Sequence, residues 1–293
     1  MKKELDDIES LLQKGKYVRI AANCHKYTIL YLIKILCKFR IIKRFKVQTT
    51  PIFNFSFIID LPAHPDIFLF GCKTSKSDFL LQRYLHNFLK RDSIFFDIGS
   101  SIGFYSLFVS RIVGTEGMVY SIEPSEMAYA ILTQNTRDKN NINTLHLAIG
   151  DHNKTCPIHE FPTRFNEYNS LFLDDFIKDS HWYPKNKPTQ KEVQMRTIDA
   201  LLDELQVIPG VVKIDVEGSE ELLLKGMSKS IANHHPDLIL RYWPNDRDNA
   251  KQKKIISELV HHGYSIYSLQ DNVVISLAEL SGYELEYVVL KKM

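Results

Sequence analysis

The chain has 293 residues, 44% of them hydrophobic and 11% aromatic, enough to bury a substantial core as one large α/β domain with an extension or as two small domains. A net charge of +2 removes any general electrostatic case for nucleic acid, so charge has to be argued from local clusters. Cys24, Cys37, Cys72 and Cys156 have no paired spacing, which gives no zinc pattern and points to reduced thiols in a cytoplasmic setting.

Residues 1–16, MKKELDDIESLLQKGK, place acids where a secretion signal needs an unbroken apolar core, so no such signal is expected. The longest apolar segment, residues 27–37, is interrupted by Lys34 and falls short of the ~20 apolar residues that span a bilayer. Residues 26–47, KYTILYLIKILCKFRIIKRFKV, hold seven Lys or Arg and no acid, and read as a basic amphipathic helix. Such a helix packs on the main domain with its lysines in water, makes peripheral contact with an anionic membrane, or docks on a partner; the sequence leaves these open. Residues 51–70 contain two β-prone runs, FNFSFIID and DIFLF, around the turn-forming LPAHP, and predict a hairpin or two short strands; residues 79–89 predict a helix.

From residue 93 strands and helices alternate, as in a parallel sheet covered on both faces. Strands are expected at 94–96, 118–122, 144–148, 211–214 and 238–240, and helices at 104–113, 126–139, 220–226 and 250–261. Runs at 265–269 and 284–290 are expected to close the sheet as an antiparallel pair. The fold class is therefore α/β, a Rossmann-like doubly wound, mostly parallel sheet. It divides into a basic extension (1–50), a cap or edge segment (51–92) and the main domain (93–293). Residues 152–192 form a polar and aromatic insert with little periodicity, read either as a lid or substrate loop or as surface decoration.

The first strand runs into IFFDIGSSIGFYSLF, a glycine turn that opens a crevice at the carboxyl end of the sheet. A dinucleotide fingerprint wants three glycines spaced G-x-G-x-x-G. Here Gly99 and Gly103 bracket Ser100, Ser101 and Ile102, so the glycine that admits a pyrophosphate is missing. Asp97 also repels phosphate and favours a cationic ligand, which S-adenosylmethionine is at its sulfonium and amino group. Glu123 ends the second strand, where an acid accepts ribose hydroxyls; NAD shares that need, so Glu123 indicates adenosine alone. Either acid by itself also suits a helix N-terminus, but both at consecutive strand ends around the glycines favour a ligand.

In VVKIDVEGSEELLLKGM a further strand runs into Asp215 and Glu217, expected to reach the same crevice. Methyl transfer needs alignment and a group to take up the acceptor's proton. Asp215 and Glu217 are the candidate base or acceptor-binding residues, with Lys213 on the same strand face as Asp215 but further from the ligand end. The pairs His234–His235 and His261–His262 have no ligand spacing and read as solvated loop ends. No metal is assigned, a divalent cation on Asp215 and Glu217 being an open alternative.

The runs FFDIGSSIGFYSLFVS, VYSIEPSEMAYAILTQN, HLAIGD, TIDALLDEL and VVKIDVEGSEELLLKG, in this order over residues 94–227, resemble the FkbM-type methyltransferases. KIDVEGSE is the most specific element. The resemblance implies S-adenosyl-L-methionine as cofactor, with Asp97, Gly99, Gly103 and Glu123 at its site; Ser101 in the same turn and Asp151 (in HLAIGD) are further candidates for that site, and Asp215 and Glu217 stay the candidate catalytic residues. It implies transfer to oxygen, commonly a hydroxyl of a sugar or natural product, so the acceptor expected is a small molecule, glycan or glycolipid rather than nucleic acid. Ser100 and Ser101 stand where the family often has Ala-Asn, and Arg241 where it often has an acid. A binding protein without turnover and an NAD-dependent oxidoreductase are the competing readings.

Overall fold

The computed structural model describes residues 1–39, 41–50, 53–243 and 249–292. Three helices come first, α1 (Lys2–Gln13), α2 (Lys16–Ala22) and α3 (Cys24–Lys38). An antiparallel ribbon of β1 (Phe45–Thr49) and β2 (Phe57–Leu61) follows. The helix expected over 26–47 therefore stops at Lys38. Beyond it the period changes from helical to two: Val47 and Thr49 are partly buried and Lys46 and Gln48 exposed, the pattern of a half-buried strand. The ribbon spans residue 50, so the extension and the cap segment share one sheet.

The run DIFLF is not the second strand of a hairpin but helix α4 (Pro65–Phe70), followed by α5 (Lys76–Phe88). Pro65 sits in the first turn, where its missing N–H costs nothing, and Gly71 closes the helix at φ 72°. A five-residue apolar run cannot tell strand from helix by periodicity, and the caps decide it.

The main domain then alternates β3 (Ile94–Ile98), α6 (Phe104–Val113), β4 (Met118–Ile122), α7 (Glu126–Thr136) and β5 (Ile142–Leu145). The insert begins with β6 (Ala148–Ile149) and β7 (Lys154–Glu160), passes through α8 (Asp174–Ile177) and returns as β8 (Thr189–Arg196). It is thus not irregular throughout: β7 and β8 pair antiparallel, and β6 adds parallel to β8. The chain continues through α9 (Ile198–Leu205), β9 (Val211–Ile214), α10 (Glu220–Lys225), α11 (Ser228–Asn233) and β10 (Asp237–Arg241). It ends with α12 (Asn249–His261), β11 (Tyr264–Tyr267), β12 (Val274–Ile275) and β13 (Tyr287–Lys292).

The main sheet runs β5-β4-β3-β9-β10-β13-β11-β12, parallel from β5 to β10 and antiparallel beyond. Strand alternation divides its core in two. Phe95, Val119 and Ile239 face one layer with Leu81, Leu107 and Phe108, whereas Phe96, Val212 and Leu238 face the other with Leu201, Leu223 and Ile256. From β3 the connections wind to β4 on one side, while β9 lies on the other. That switch point sets the crevice over the carboxyl ends of β3 and β9. Among the described residues no helix is long and apolar enough to cross a membrane.

Candidate active site

The glycine turn after β3 is fixed by close approach. Gly99 has φ 76°, and a Cβ there would lie 1.8 Å from the Asp215 carbonyl oxygen, so the ends of β3 and β9 touch only because residue 99 has no side chain. Ser101 holds φ 49°, unusual for a residue with a Cβ, and its N–H donates to Glu123 Oε2 at 2.8 Å. The other Glu123 oxygen accepts the Ser125 N–H at 2.9 Å. Burial pushes the Glu123 carboxyl up to about 7, against the pull of those two donors.

Asp97 lies beneath this turn rather than in it. The register places it opposite Lys213, whose Nζ is 3.2 Å from its carboxylate, and the Ser106 hydroxyl donates to the other oxygen at 2.7 Å. Asp97 is fully buried and Lys213 is 1% exposed. The free negative charge expected for a cationic ligand is therefore half of a buried ion pair. Removing one partner of such a pair would strand a charge in the core.

Asp215 and Glu217 reach the crevice, as their spacing after β9 implies, but their environments pull them apart. Burial opposes the Asp215 charge, yet Lys213, Arg241 and Lys73, with a hydrogen bond from the Tyr287 hydroxyl at 3.0 Å, outweigh it and hold the carboxyl at about 2. Glu217, at φ 47°, is raised well above the ordinary glutamate range by burial and by the Asp215 charge. Arg241 donates to the Tyr287 hydroxyl at 2.8 Å, pairs with Glu286 at 2.8 Å and stacks over Trp243. One carboxylate is thus a fixed anion and the other a carboxyl able to exchange a proton, the separation that acid–base chemistry uses.

These groups share one cavity of about 440 Å³, within the size range of small-molecule sites. Its lining includes Gly99, Ser100, Ser101, Glu123 and Ala148, and also His64, Lys73, Asn166, Asn169, Asp215 and Glu217. The insert supplies a wall, and the Ser170 hydroxyl ties it to the site by donating to the Glu217 carbonyl at 2.7 Å.

The Methyltransferase FkbM domain model matches residues 97–266, more than half of the chain. The chain belongs to the FkbM methyltransferase family. No curated protein matches it. Solved structures similar to it include an FkbM methyltransferase from Methylobacillus flagellatus KT (17% identity, 78% of this chain and 52% of that one, TM-score 0.45). A precorrin-6y C5,15-methyltransferase from Geobacter metallireducens GS-15 matches at 13% identity, over 75% and 91% of the two chains, with TM-score 0.41. Aeropyrum pernix fibrillarin, solved with natively bound S-adenosyl-L-methionine, matches at 13% identity over 72% of each chain with TM-score 0.40. The chain spans about half the length of the Methylobacillus protein.

S-adenosyl-L-methionine is the cofactor expected of a methyltransferase family, and the residues present fit that group. Ser100 Oγ in the glycine turn is buried without a hydrogen-bond partner, and Gly99, Ser100, Ser101 and Glu123 all line the cavity. Asp151 is placed otherwise: it pairs with His152 at 3.0 Å and is absent from the cavity lining, because β6 turns away after Ile149 to enter the insert. Sequence reading missed His64, Asn166 and Asn169. His64 sits between prolines in LPAHP, a turn that aims a side chain without any periodic signal; the two asparagines stand in FNEYNS, an aromatic and polar stretch of the insert.

Proposed function

We infer that this FkbM methyltransferase transfers the methyl group to oxygen, on a hydroxyl of a sugar, glycan or lipid-linked glycan. The observation that carries this reading is a set of unsatisfied buried polar atoms on residues that line the cavity: His64 Nε2, Asn166 Oδ1 and Asn169 Nδ2. Buried polar atoms without partners are costly, and an acceptor with several hydroxyls supplies both donors and acceptors for them. Burial also keeps His64 neutral by pulling its pKa down. If its Nδ1–H donates to the Asp60 carbonyl, 3.1 Å away, Nε2 faces the cavity as an acceptor.

Glu123, Ser100 and Ser101 would hold the cofactor, which when bound supplies a methyl group on a sulfonium already activated for displacement. The remaining work belongs to the chain. Glu217, in its ionised form, takes the proton of the acceptor hydroxyl as the new carbon–oxygen bond forms. Asp215, fixed by Arg241, Lys213 and Tyr287, keeps its charge and raises the proton affinity of Glu217. The insert, tied down through Ser170, excludes water from the crevice.

Radiolabelled S-adenosyl-L-methionine and a panel of glycans and glycolipids test the reading. The expected product carries an O-methyl ether, and Glu217→Gln lowers kcat by about 100-fold or more while leaving cofactor affinity unchanged by calorimetry. Methyl groups found only on nitrogen or carbon would overturn it. Cofactor binding with no transfer to any hydroxyl acceptor would favour a binding protein instead.

A further inference from the structure

We propose that the outer face of α3, continued by α2 and by the segment leading into β1, is a docking surface for an anionic lipid bilayer. Residues 10–59 contain ten Lys or Arg and no Asp or Glu, so this stretch of chain has no acid of its own with which to neutralise its cations. Arg44 borrows Asp60, at 3.4 Å. Lys34, Lys38, Lys43 and Lys46 are exposed, and none is ion-paired among the described residues.

The two faces of α3 differ in a way that water does not explain. Its inner face is anchored: Leu30 and Ile33 are buried, Tyr27 packs edge-on against Phe70 of α4, and Lys26 donates to the Leu69 carbonyl. Its outer face should be polar if it met only solvent. Instead Tyr31 is 66% exposed and Leu32 54%, and just past the helix Phe39 and Ile41 are exposed to 69% and 67%. Eight of the fifteen large hydrophobic side chains that are exposed among the described residues lie within 17–45, so the exposed apolar surface is concentrated here rather than scattered.

Apolar and aromatic side chains flanked by unpaired lysines match the boundary of an anionic bilayer, where the rings and aliphatic groups enter the acyl edge and the ammonium groups meet lipid phosphates. A nucleic acid would satisfy the lysines and leave Leu32 and Ile41 in water. A second copy joined face to face would bury the apolar groups but set lysines against lysines. The face also has a route to the cavity: α3 packs on α4, and Pro65 and Asp66 at the start of α4 line the cavity. The inference stands on this surface alone and not on the identity of the acceptor.

The test is co-sedimentation of the full chain with vesicles of phosphatidylcholine and with vesicles containing phosphatidylglycerol. Binding is expected only to the anionic vesicles and is expected to fall about tenfold or more at high salt or in the Lys34→Glu/Lys38→Glu variant. Tyr31→Ser/Leu32→Ser/Phe39→Ser is expected to abolish it while melting temperature and S-adenosyl-L-methionine affinity stay at the values of the parent protein. Three results would overturn the proposal. These are no binding to either vesicle, binding that neither variant reduces, and a dimer in sedimentation velocity that the triple variant converts to monomer, which would make this face an interface between copies.

Discussion

At Glu123, burial and two backbone N–H donors act in opposite directions, and burial prevails, lifting the carboxyl from 4.5 to about 7. Ribose hydroxyls donate better to the carboxylate than to the neutral acid, so cofactor binding should release a proton near neutrality. Affinity for S-adenosyl-L-methionine is expected to rise between about pH 6 and 8, and Glu123→Gln to flatten that rise. Calorimetry in buffers of different ionisation heat counts the proton; a profile that stays steep in the variant would assign the effect elsewhere. With the folded pKa above the unfolded one, the penalty for burying the charge is absent below 4.5 and grows as pH rises through about 7. Asp215 has the opposite sign: its stabilising pairs are complete above 3.8 and lost as pH falls through about 2. Gly99→Ala is a harsher change, since its Cβ would overlap the Asp215 carbonyl. It is expected to cost several kcal/mol in urea unfolding, of the order of 3. Gly99, Glu123, Asp215 and Glu217 were readable in the sequence and reach the cavity lining because spacing after a strand places them at its end. Gly103 is absent from that lining and instead starts α6 at φ 90°. The partner of Asp97 was not readable, because Lys213 lies 116 residues away and only the register of β3 with β9 brings them together.

Among the elements, those with a strong period were legible and those fixed by pairing were not. Helix α6 falls at its expected residues because a long apolar run follows Gly103 and ends at Gly114. β5 ends at Leu145, short of residue 148, and Ala148 opens β6 in another sheet, a change of partner that no periodicity signals. The insert hides its order in the same way: β7 and β8 are distant in sequence and pair along their length from Lys154 to Thr189. What packs between them is aromatic. The Trp182 ring meets those of Phe161, Phe165, Tyr168 and Phe176 at centroid distances of 5.4, 4.9, 5.9 and 6.1 Å. Trp182→Ala is therefore expected to loosen the insert by about 2 kcal/mol without unfolding the main sheet. Proteolytic cleavage within 161–188 should quicken, and KM for the acceptor should rise while cofactor affinity holds. Loss of cofactor affinity in this variant would show that the insert supports the whole crevice instead of its acceptor wall.

Taken whole, the molecule binds its basic extension into the fold, which makes residues 1–47 a poor candidate for removal. Leu5, Ile8, Leu30 and Ile33 are buried in the same core as the helices that cover the sheet, and Arg83 of α5 pairs with Asp6 at 2.8 Å and with Glu9. Deleting residues 1–47 forfeits about 1.5–3 kcal/mol for each of those side chains and uncovers the surfaces they pack on. It also strips β1 from β2, leaving an unpaired edge. The other side of β2 is tied to the glycine turn. Asn135 of α7 accepts the Ile58 N–H at 2.6 Å and donates to the carbonyls of Ile58 and Ile102, at 3.0 and 2.8 Å. None of the deleted residues lines the cavity among the described residues, yet the damage has a path to Ile102, inside the glycine turn. The deletion is expected to lower the melting temperature by about 10 °C or more, at roughly 2–4 °C per kcal/mol, and to weaken S-adenosyl-L-methionine binding with it. Asn135→Ala separates the two effects: it keeps the extension and removes the tie, so weaker cofactor binding with a smaller thermal loss is its expected signature. A deletion protein that melts and binds like the full chain would show that the extension is an appendage and that β2 holds its place without it.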